Sequence, residues 1–87
     1  MKLKYDFEIT DFMSEVCAVS KQLNESGEKV IVRLGNDTAV RIFSLIQEGN
    51  EIPDIVSIML KEYDVEEDVL SDEVEKFVAT LHKDNIV

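Results

Sequence analysis

The stretch Val30-Ile31-Val32-Arg33-Leu34-Gly35-Asn36-Asp37-Thr38-Ala39-Val40-Arg41-Ile42-Phe43-Ser44-Leu45-Ile46 contains a change of period that decides the fold. Its first five residues are rich in β-branched side chains, which fit a pleated, half-buried surface, so a strand is predicted over 30–34. Gly35-Asn36-Asp37-Thr38 then supplies a turn followed by side-chain oxygens able to accept the unpaired N–H groups of a first helical turn. Ala39, Ile42, Phe43 and Ile46 recur at i, i+3, i+4 and i+7, one face of a helix.

Upstream, the chain keeps the period of two. Leu3, Tyr5, Phe7 and Ile9 alternate with Lys4, Asp6 and Glu8, which predicts a half-buried strand over this run. Val16-Cys17-Ala18-Val19 predicts a second strand, and Lys21–Glu28, with its Asn, Ser and Gly, predicts a loop longer than a tight hairpin requires. Downstream, the helical period persists. Gly49 suits the left-handed position after a helix end, and Pro53 suits a first helical turn, where its missing N–H costs nothing. Ile52, Ile55, Met59 and Tyr63 mark the second helix, with Val56 and Leu60 beside them. Leu70, Val74, Phe77, Val78 and Leu81 mark the third, whose start falls between Asp64 and Ser71. Asp84-Asn85 ends it, and Ile86-Val87 is free to fold back. The order is β-β-β-α-α-α: an α+β domain with a three-stranded antiparallel sheet followed by three helices. Three strands leave two edges, each a row of unpaired backbone donors and acceptors.

At 87 residues, 45% hydrophobic, the chain predicts one domain, 1–87, with a modest core. No run reaches the roughly 18 apolar residues of a membrane helix. Met1–Asp6 carries charges where a signal peptide would be apolar. The lone Cys17 permits no internal disulfide. A cytoplasmic protein with no membrane partner is expected. The net charge of -10 is uneven: residues 1–43 hold six Lys/Arg against seven Asp/Glu, residues 44–87 three against twelve. Such a helical half repels phosphate, which disfavours nucleic-acid binding; its acidity reads first as a solvated, solubilising surface and second as electrostatic steering of a basic partner.

No catalytic constellation emerges. His82, the only histidine, sits near the end of the third helix, where a cation meets the helix dipole favourably. Cys17, inside an apolar run, reads as a small core residue, and the two do not make up a zinc ligand set. Glu66-Glu67-Asp68 with Asp72, Glu73 and Glu75 lacks the spacing and turn glycine of a calcium loop. Gly35 lacks the second glycine and lysine of a phosphate loop. Acyl carrier proteins are all-helical and modify a serine after Asp, whereas Ser44, Ser57 and Ser71 follow Phe43, Val56 and Leu70. No enzyme, cofactor or metal is expected.

The residues resemble the PqqD-like family, the small leader-peptide recognition domains of ribosomal-peptide modification pathways. Phe7-Glu8-Ile9 followed by Glu15–Val19 is similar to the family's paired first strands. Val30–Leu34 running into Asn36-Asp37-Thr38-Ala39 and Ile42–Ile46 resembles its strand, Asn-turn and helix. Tyr63-Asp64-Val65 closes the second helix as family members do. Asp72-x-Val74-x-x-Phe77-Val78-x-x-Leu81 with Ile86-Val87 resembles the last helix and terminal apolar pair. Three positions depart: Pro53 replaces an acidic or polar residue, Asp84-Asn85 replaces a glycine, and Arg41 replaces an apolar residue. The resemblance implies a winged-helix-like fold and a mechanism of strand addition. A precursor leader peptide would pair with the third strand and rest on the last helix, in a groove of Val30, Ile31, Val32, Arg33 and Leu34 opposite Val74, Phe77, Val78 and Leu81. The partner that performs the chemistry would be a modifying enzyme, in this family often a radical iron–sulfur enzyme. The rivals are a winged-helix nucleic-acid binder, which the acidic helices oppose, and a regulatory interaction domain.

Overall fold

The computed structural model describes residues 1–87 and has the expected order. Strands β1 (Phe7–Phe12), β2 (Glu15–Leu23) and β3 (Lys29–Arg33) precede helices α1 (Asp37–Gln47), α2 (Ile52–Glu62) and α3 (Glu67–Lys83). The sheet is antiparallel in the order β1-β2-β3, so β2 is central and β3 is an edge. The register places Ile9, Ala18 and Val32 in one row on the inner face.

The first strand differs from its expected position. Leu3 and Tyr5 are half-buried but lie before the sheet, because the Lys4 N–H donates to the Ile86 carbonyl at 2.9 Å. The alternation survives because this extended segment packs on the core beside the chain's other end. Its N-terminal ammonium pairs with Glu51. The ladder begins at Phe7, and just before it Gln22 stands in for a strand neighbour of Asp6: its side chain accepts from the Asp6 N–H at 2.9 Å and donates to the Asp6 carboxylate at 2.8 Å.

The second strand is also longer than expected. Lys21, Gln22 and Leu23, read as loop, belong to β2. A bulge between Val19 and Leu23 makes room for Ser20, buried at 1% exposure. Its hydroxyl accepts from the Val30 N–H at 2.8 Å and donates to the Gln22 carbonyl at 2.7 Å, so a side chain replaces a ladder bond. The remaining loop closes on Asn24, whose Oδ1 accepts from the N–H groups of Ser26 and Glu28, with Gly27 at φ +77.

The helices end as their sequences direct. Asn36 caps α1, its Oδ1 accepting from the Ala39 N–H at 2.8 Å. At the far end Gly49, φ +93, donates to the Ile46 carbonyl while Asn50 donates to the Leu45 carbonyl, the paired bonds of a Schellman motif. The end of α3 repeats it: Asn85, φ +59, donates to the His82 carbonyl and Ile86 to the Leu81 carbonyl. Asn85 thus occupies the left-handed position that a glycine would fill, and Ile86 folds onto the core next to Leu81.

The core joins both layers. Phe43 is fully buried and meets Phe7 edge-to-face at 5.2 Å and Phe77 at 6.4 Å. Each such pair contributes roughly 0.5–1.5 kcal/mol beyond area burial. Cys17 is buried, but on the other face of the sheet from the main core, because the register sets it between Thr10 and Arg33. Arg41 reaches across to α2 and donates to Glu62 at 2.8 and 2.6 Å, a tie that explains a charge at that position of α1.

Candidate functional site

In an antiparallel pair, backbone groups of alternate residues point toward the partner strand and away from it. The Leu34 N–H donates to the Val16 carbonyl at 3.0 Å, and the Val30 N–H is taken by Ser20. Val30, Val32 and Leu34 therefore face β2, and Ile31 and Arg33 direct their N–H and C=O groups to the open edge. The C-terminal end of α3 comes near the start of β3 and its middle near the turn after β3, so the two run in opposite directions. Val30 shares a depression with Asp84 and Asn85, at the helix C-terminus. Farther along, a hollow of about 440 Å³ lies between the start of α1 and the middle of α3. Asn36, Thr38 and Ile42 line one side, and Lys76, Phe77 and Thr80 the other.

The nine groove residues expected from sequence fall into two groups. Val32, Leu34, Val74, Val78 and Leu81 are buried in the core. Val30 and Phe77 are half-buried, Ile31 is 48% exposed and Arg33 is exposed. Of the apolar row on α3, Phe77 is the member that lines the groove, while its ring edge packs on Phe43 behind. Lys76, Thr80, Asn36 and Thr38 were not among the expected residues. A signal for the first two exists: they border the apolar row at helical spacing, where a groove wall turns from apolar to polar.

Arg33 already has an acidic partner. Its guanidinium forks onto Glu15 of β2, with Nε donating at 2.9 Å and Nη2 at 2.6 Å. That hydrogen bond, with the carboxylate's charge, raises its proton affinity above the ordinary arginine value. The pair lies on the outer face of the sheet and leaves the Arg33 backbone free to bond along the edge. Lys76 is held above its usual pKa by its hydrogen bond and attraction to Asp72, one turn away at 2.9 Å.

No three His, Cys, Asp or Glu side chains converge in a way that could hold a metal ion. His82 is exposed. No helix is long and apolar enough to cross a membrane.

Fold and groove define a winged-helix-like β-β-β-α-α-α module with an open strand edge alongside an amphipathic helix. The chain belongs to the PqqD family: the model of the family described as coenzyme PQQ synthesis protein D matches residues 21–87. The match leaves out β1 and the Glu15–Ser20 part of β2, but the fold is shared over nearly the whole chain with solved structures. One is TbiB1 in complex with the TbiA(beta) leader peptide, with a TM-score of 0.70 at 21% identity, covering 99% of this chain and 93% of that one. Another is a lasso peptide synthetase B1 complexed with the leader peptide, with a TM-score of 0.67 at 20% identity, covering 98% and 93%. No curated protein matches.

Proposed function

We propose that this protein recognises the leader segment of a ribosomally made precursor peptide and presents it to a separate modifying enzyme, without doing chemistry itself. The observation that carries this reading is the open β3 edge, with Ile31 and Arg33 backbone groups unpaired, leading into the hollow that Asn36 and the half-buried Phe77 of α3 line. A peptide added there gains main-chain hydrogen bonds for affinity and side-chain contacts for specificity. Family membership and two structural neighbours that hold leader peptides support it. The radical iron–sulfur enzyme implied by the family resemblance is the partner we propose for the chemistry.

The test is an NMR titration with synthetic leader peptides of candidate precursors sought among the neighbouring genes. The amides of Ile31 and Arg33 should shift most, with Phe77 and Thr80 next. A leader that saturates the protein while leaving residues 29–34 unmoved would rule out strand addition.

A further inference from the structure

Where α2 hands over to α3, Val65 and Val69 remain 45% and 52% exposed. A hollow of about 130 Å³ opens between them, with the buried Met59 and Leu70 as its floor and Tyr63 at its side. An apolar cavity of about 150 Å³ holds a guest the size of benzene. This hollow therefore has room for one branched aliphatic side chain and is too small for an indole. Thr38 and Glu73 line both this hollow and the larger one between α1 and α3, so the two adjoin.

The surroundings of the hollow are mainly acidic: Arg41 lies within reach of Tyr63 at its side, but its guanidinium is held by Glu62. Asp64 and Glu66 flank Val65, Glu67 and Asp68 precede Val69, and no Lys or Arg occurs between Glu62 and Glu75. All four are exposed and without an ion-pair partner, as is Glu73. Glu66, at the helix N-cap, makes no capping hydrogen bond with its side chain. Carboxylates so placed around an apolar depression favour a ligand that brings cations alongside an apolar anchor.

We infer that this hollow is a second subsite of the peptide groove, taking an aliphatic side chain flanked by lysine or arginine from the part of the bound peptide that runs on past Arg33. The inference rests on the proposed addition of a peptide to β3. It assigns the recognised sequence two parts: a segment read mainly through its backbone at Ile31 and Arg33, and a basic, aliphatic segment read through its side chains.

The test uses the same synthetic leader and a version with its Lys and Arg residues changed to Gln. Saturating the wild-type protein should shift the Val65 and Val69 methyl resonances. The double variant Val65→Ser/Val69→Ser alters exposed positions. It should keep the wild-type amide pattern elsewhere and bind the leader about tenfold more weakly. The Gln leader should lose affinity comparably, and binding of the unaltered leader should weaken between about 50 and 300 mM salt. Unmoved Val65 and Val69 methyls, or unchanged affinity in the double variant, with Ile31 and Arg33 amides still shifting, would overturn the subsite and leave strand addition standing. Equal binding of the two leaders would overturn the basic flank. If the Ile31 and Arg33 amides stay still, the strand-addition reading fails and the subsite with it.

Discussion

Phe77 and Phe43 are aromatic neighbours with different work to do. Phe43 is enclosed between Phe7 and Phe77 at the junction of sheet and helices. Truncating it to alanine should cost about 4 kcal/mol, the range for a buried phenylalanine. Phe77 is half-buried, so Phe77→Ala should cost roughly 2 kcal/mol, below that range, and leave a folded protein that binds the leader more weakly. Urea unfolding of both variants, with peptide titration of the second, checks the contrast. Arg41 and Glu62 offer a pH readout. Hydrogen bonding to Arg41 holds the Glu62 carboxyl below its ordinary 4.5. A depressed carboxylate adds stability above its unfolded-state value and loses it as pH falls through the folded-state value. Glu62→Gln should therefore differ from wild type most near neutral pH, with the two unfolding curves converging as pH drops below about 4.5. The effect should be small and weaker in high salt, as for exposed ion pairs.

Among the elements, the first hairpin is the least economical. Met13 and Ser14 join β1 to β2 with φ of +52 and +68, so two non-glycine residues sit in the left-handed region. The tight strand pair demands that geometry, and Asn-Gly fills it best. Each strained position costs roughly 1–2 kcal/mol. Met13→Asn/Ser14→Gly should raise the unfolding midpoint, by about 1 kcal/mol or more in stability, and leave peptide affinity unchanged. The β3 edge makes a sharper test of direction. Proline removes a backbone donor and is tolerated in a strand where that donor faces outward. Ile31→Pro should fold and fail to bind the leader. Val32→Pro strikes the ladder to β2 and should unfold the domain. Circular dichroism with calorimetric titration separates the two outcomes, and the reverse result would mean that the edge assignment is inverted.

At the scale of the whole molecule, charge decides what approaches. Three Lys/Arg against twelve Asp/Glu over residues 44–87 give the helical layer a field that repels phosphate. Micromolar binding of duplex or single-stranded nucleic acid should be absent at physiological salt in an anisotropy assay. Saturable binding with a steep loss in salt would restore the nucleic-acid reading of this fold.

The three helices and the caps of the first were legible in the sequence, because helix formation is decided locally; the start of the third, Glu67, was bounded only between Asp64 and Ser71, where no side chain caps it. Ala39, Ile42, Phe43 and Ile46 select their own face, Asn36 supplies an acceptor two or three residues away, and Gly49 sits where a left-handed residue is needed. The existence of three strands and the resemblance to the PqqD family were legible for the same reason: period and order are properties of the chain. Tertiary structure decided what depends on residues far apart. It moved the first strand from Leu3–Ile9 to Phe7–Phe12, since the Lys4 N–H finds its acceptor at Ile86, at the other end of the chain. It extended β2 through Lys21–Leu23 by giving Ser20 a strand neighbour at Val30. It turned Cys17 to the outer face through the register with Arg33. It also separated the apolar β3 and α3 residues into core and groove. Alternation marks Val32 and Ile31 as opposite faces, but which backbone groups stay unpaired depends on the side of β3 that β2 occupies, and no local pattern records that.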